Sequence, residues 1–135
     1  MQDKIERPEW VAYYKEFSER NAARPTRLEV FGELGAQEEE NGLPLAGVGV
    51  EMDGADSPRV EIMLGGLSAA DASHLTHTVT RVRRIMRKLG ADGREEALEL
   101  EDSDGTQTLL RFEARAELKA SIASPEEQDP PARGV

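Results

Sequence analysis

The apolar period of this 135-residue chain changes once, between Phe17 and Thr26, and that change limits its fold more than any other feature. Trp10, Tyr13, Tyr14 and Phe17 are four of the chain's six aromatics, at steps of three and four that put Trp10, one of the tyrosines and Phe17 on one helical face. Pro8 suits a first helical turn, Glu9 complements the positive end of the dipole, and Asn21 with Pro25 supplies a stop. An amphipathic helix is expected over 8–21. From Thr26 the apolar residues alternate instead, in the runs TRLEVFGEL, LPLAGVGVEM and PRVEIMLGG, each the length of a strand.

The strands can be oriented by that alternation. Leu28 and Val30 face inward from the first run, and Val60, Ile62 and Leu64 from the third, while Gly47 and Gly49 mark a bend by which a small sheet curls. EALELEDSDGTQTLLRF is the clearest hairpin: Leu98 and Leu100 alternate with acids up to the turn SDG, and Thr108, Leu110 and Phe112 alternate back. The expected core is Trp10, Tyr14, Phe17, Leu28, Val30, Leu45, Val48, Val50, Val60, Ile62, Leu64, Leu98, Leu100, Leu110 and Phe112. The fold class that follows is α+β, with the helix packed on about six antiparallel strands forming a strongly curled sheet or open barrel. Residues 1–7 read as an N-terminal arm, 8–116 as a single domain, and 117–135 as an acidic, Pro-containing tail too polar to order itself.

Charge and inventory exclude much chemistry. With 27 acidic and 17 basic residues the net charge is −10, which repels nucleic acid and anionic membranes. No cysteine is present, so disulfides, thiolate metal sites and cysteine nucleophiles are out. No window approaches the ~20 apolar residues of a membrane span, and the polar N-terminus lacks a signal core, so a cytoplasmic location is the default expectation. LAGVGV lacks the third glycine of a phosphate-cradling loop, and EDSDG fails as a calcium loop because Leu100 and Arg111 would fall at ligand positions. No serine sits in a hydrolase motif. The acids Glu38, Glu39 and Glu40 form a contiguous run suited to a solvated turn or edge rather than a catalytic pair.

The segment HLTHTVTRVRRIMRK, residues 74–88, is the least ordinary stretch. His74 and His77 would converge on a helix and diverge on a strand. Leu75, Val79, Val82, Met86 and Leu89 recur at heptad-like steps, whereas THTVTRV is rich in β-branched residues, so periodicity alone leaves the two open. Arg83, Arg84, Arg87 and Lys88 are followed, across LGADG, by Glu95, Glu96, Glu99 and Glu101, a pattern that suits cross-strand ion pairs in a hairpin.

The order WVAYYKEFS, LEVFGELGAQ, LPLAGVGVE, RVEIML, HLTHTV and ALELEDSDGTQTLLRF resembles a family of small bacterial proteins catalogued as domain of unknown function 5335. The resemblance implies an early helix followed by antiparallel strands, and hence a strand at His74, but no activity, substrate, cofactor or catalytic residue. The expected function is a non-catalytic interaction or adaptor domain of a soluble bacterial protein, with an unknown protein partner or a homodimer, no membrane and no cofactor. Its candidate contact residues are Arg83, Arg84, Arg87 and Lys88. The alternative is a small-ligand or metal-binding module using His74, His77 and nearby carboxylates.

Overall fold

The computed structural model describes residues 2–32, 35–66 and 74–113. The aromatic helix α1 spans Trp10–Arg20, and one 3-10 turn, Arg7–Glu9, leads into it. The helix expected from residue 8 therefore starts two residues later, because Pro8 belongs to the tighter turn. Asn21 closes α1: its backbone N–H and its side-chain Nδ2 both donate to the Phe17 carbonyl at 3.0 Å.

Eight strands occur among the described residues rather than about six: β1 Gln2–Lys4, β2 Pro25–Gly32, β3 Gly35–Glu51, β4 Arg59–Gly65, β5 His74–Val79, β6 Val82–Leu89, β7 Glu95–Asp102 and β8 Gln107–Phe112. One addition is β1, inside the segment read as an arm. The other arises because the stretch from His74 to Leu89 is two strands, divided at Thr80–Arg81, where Arg81 takes a positive φ of 50°. All pairings are antiparallel, in the order β1-β6-β7-β8-β2-β3-β4-β5.

That order dictates the shape. Strands β5 and β6 are two residues apart in the chain yet lie near opposite ends of the order, so the sheet must curl until they meet. The seam is pinned where Val82 N–H donates to Pro58 O (3.0 Å) and Arg81 N–H to Asp56 O (2.8 Å). The barrel remains open, with β1 and β5 as the ends of the order. The bend anticipated at the LAGVGV glycines is a register shift between Leu45 and Gly47 in the β3–β4 pairing. Strand β3 also changes partner there: its first half pairs with β2 and its second with β4. The Glu38–Glu40 run thus lies inside β3, in the half that is paired on one side only among the described residues.

Helix α1 fills the concave side. Ser18 Oγ accepts from Val48 N–H at 2.9 Å and lies 2.8 Å from the Tyr14 carbonyl, tying helix to sheet, and Trp10 Nε1 donates to Ile5 O at 2.9 Å. Of the expected core, Val30 and Val50 are only half-buried; the other thirteen are buried. Ile5, Tyr13, Val79, Val82, Ile85 and Ala97 join them. Burying a side chain of this size contributes about 1.5–3 kcal/mol, so β6, through Val82 and Ile85, and Ile5, the residue that follows β1, are part of the core, while the three residues of β1 itself stay exposed or half-buried. The tail read over 117–135 lies outside the described residues.

Candidate anion-binding cleft

One cleft of the described residues is built beside a buried carboxylate, Glu95. Glu95, the first residue of β7, is 4% exposed because it points under α1. Its Oε1 accepts from Asn21 Nδ2 (3.2 Å) and its Oε2 from Tyr13 Oη (3.2 Å) and from Arg20, which forms an ion pair with it. Burial by itself would raise the Glu95 carboxyl; the hydrogen bonds from Arg20 and Asn21 outweigh it and hold the group below the usual carboxylate range. Burial, reinforced by the Glu95 charge, pushes the Tyr13 phenol well above its ordinary value, so it stays a donor. Arg20 and Arg87 stand 5.8 and 5.6 Å from the Tyr13 ring centre.

Arg24 rests on this network. After the helix stop the chain is clipped to β3, Ala23 N–H donating to Leu45 O at 2.8 Å and Leu45 N–H to Arg24 O at 2.9 Å. Arg24 Nη1 then donates to Asn21 Oδ1 (2.7 Å) and to the Glu95 carbonyl (2.8 Å), and its guanidinium lies 4.1 Å from the Phe112 ring centre. Among the described residues Nε and Nη2 have no acceptor, and no carboxylate comes within ion-pair distance of the group. Burial, then repulsion from Arg94, lowers the Arg24 pKa.

Arg94 ends the β6–β7 turn, which Gly90 N–H closes on Arg94 O (2.8 Å) and Asp92 Oδ1 caps by accepting from Arg94 N–H (3.0 Å). Its own side chain makes no ion pair among the described residues. Between Arg24 and Arg94 opens a cleft of about 440 Å³, within the range of small-ligand sites. Its wall continues across the sheet in register, Lys88 opposite Ala97, Ala97 opposite Arg111 and Arg111 opposite Arg27. Arg27 directly opposite Arg111 is an arrangement that costs stability in a sheet. Each is offset by a neighbour, Arg111 by Glu29 (2.9 Å), Arg27 by Glu38 (3.4 Å) and Lys88 by Glu96 (3.8 Å). The Arg27–Glu38 pair runs through the buried Nε of Arg27 and is an ion pair rather than a hydrogen bond. Five cations and four carboxylates line the cleft, and one of the four, Glu95, is already paired to Arg20 outside it.

The residues singled out in the sequence are distributed otherwise. Arg83 and Arg84 both pair with Glu101 (3.1 and 2.6 Å), as a hairpin requires. Arg87 turns instead to Asp3 of β1 (2.9 Å), and only Lys88 reaches the cleft. His74 and His77 lie in a strand, three apart and therefore on opposite faces, with His74 exposed and His77 half-buried. Among the described residues no three His, Asp or Glu side chains are grouped to hold a metal ion, and no helix is long and apolar enough to cross a membrane. Sequence reasoning missed Arg24, Arg94, Arg27 and Arg111. The last two could have been found as outward positions on alternating strands, but nothing local links Arg24 to Arg94.

A family model described as a family of unknown function (DUF5335) matches residues 1–121. No curated protein and no solved structure matches the chain.

Proposed function

We propose, for a chain that belongs to the DUF5335 family of unknown function, the role of a non-catalytic interaction domain that receives an anionic group of a protein partner in the Arg24–Arg94 cleft. One observation carries this reading. In a chain of net charge −10, two arginines face a common cleft with no carboxylate partner among the described residues, while the arginines of the neighbouring strands are paired. The mutual repulsion of Arg24 and Arg94, which Glu95, Asp92 and Glu96 offset in part, is relieved further by a bound anion. Arg24 is also preorganised, since Asn21, the Glu95 carbonyl and Phe112 fix it before anything binds.

The test is a comparison of wild type with Arg94→Glu, an exposed turn position whose reversal leaves the core untouched. Cross-linked complexes from native lysate should contain a partner that the variant loses, with melting temperatures of the two proteins within a degree or two. Sedimentation of the purified protein identifies the case in which the partner is a second copy. Equal recovery of the same partners by both proteins refutes a role for the cleft.

A further inference from the structure

The chemistry around the two arginines narrows what enters. Asp92 and Glu96 on the β6–β7 hairpin and Glu113 at the exit of β8 also line the cleft, so carboxylates flank the arginines from two different elements. A polyanion or a dianionic phosphate would bring its extra charge against these acids, whereas a single carboxylate matches a guanidinium fork without surplus. The flanking acids in turn suit N–H donors or basic side chains on both sides of that carboxylate. A chain terminus has neighbours on one side only.

Resting on the interaction reading above, we infer that the cleft binds one aspartate or glutamate side chain of a partner polypeptide whose adjacent residues are neutral or basic. The carboxylate lies between Arg24 and Arg94 and takes the Arg24 donors that have no acceptor among the described residues. The flanking residues meet Asp92 on the β6–β7 hairpin and Glu113 at the exit of β8, Glu96 being already engaged by Lys88 (3.8 Å). Recognition is therefore of a charge pattern, one acid between neutral or basic neighbours, rather than of net negative charge.

Titration of the full chain with acetyl-Lys-Glu-Lys-amide, followed by nitrogen–proton NMR of the arginine side chains, tests this. Saturable shifts at Arg24 and Arg94 are expected, with binding about tenfold weaker for acetyl-Lys-Gln-Lys-amide, as the loss of a charge-assisted contact implies. N-acetylglycine and inorganic phosphate should also bind more weakly. Arg94→Gln should weaken the glutamate peptide by a similar factor, and Arg24→Lys should do so while keeping the charge, because the fork is lost. Equal binding of the glutamine peptide, or tighter binding of phosphate or N-acetylglycine, overturns the inference. If no probe binds but Arg94→Glu still loses its cross-linked partner, the carboxylate inference falls and the interaction reading stands; if that partner is retained as well, both fall.

Discussion

Glu95 shows how one residue can be placed against its local pattern. In sequence it is the first acid of a series expected to face the basic strand, and Glu96 and Glu101 do pair with Lys88 and with Arg83 and Arg84. Glu95 instead turns under α1 to Arg20, Asn21 and Tyr13, because the register shift between Lys88 and Leu89 changes the alternation at the strand's start. Its depressed carboxyl pKa fixes the sign of a pH effect. The folded value lies below the unfolded one of about 4.3, so the contribution is present above that pH and is lost as pH falls through the folded value. Glu95→Gln should cost about 1–2 kcal/mol at pH 7, where charge-assisted bonds become neutral ones, and the gap from wild type should narrow by pH 3. Urea unfolding at the two pH values checks it, and a gap that is unchanged at pH 3 contradicts the assignment.

At the scale of elements, helix period, strand alternation and the SDG turn were legible because each acts over a few residues. The β7–β8 turn is an instance: Asp102 Oδ1 accepts from Asp104 and Thr106 N–H (2.9 and 3.0 Å), and Gly105 supplies the positive φ of 84°. β1 was not legible, since QDK carries no apolar pattern and is a strand only because β6 offers it an edge. Its attachment is nevertheless strong, with Asp3 paired to Arg87 and Ile5 buried beside Trp10. Ile5→Ala should therefore destabilise by about 2–4 kcal/mol, the range for a buried aliphatic truncation, and thermal unfolding measures it. A loss under half a kcal/mol would mean that the N-terminal strand is peripheral. The histidine segment shows the reverse case, in which heptad-like spacing and β-branching competed and the edge of β4, to which β5 pairs, decided for strand.

Over the whole molecule, the decisive contacts are distant in sequence. Gln2 pairs with Lys88, Thr26 with Phe112, and Val82 reaches back to Pro58, so the curled sheet cannot form piecemeal. Folding should accordingly take milliseconds to seconds, as in other domains dominated by non-local strand pairing. The single tryptophan, Trp10, is 1% exposed and reports the event by stopped-flow fluorescence. Complete refolding within microseconds would show that α1 and local hairpins, rather than sheet closure, set the rate. The sequence by itself determined the helix face, most of the inward strand positions and the hairpin turns, because periodicity and turn chemistry are properties of neighbouring residues. Only the tertiary structure decided which strands became neighbours, that Glu95 went inward, and that Arg24 and Arg94 met across seventy residues of chain. Strand order is set by burying the inner face of the entire sheet at once, and no local stretch carries that information.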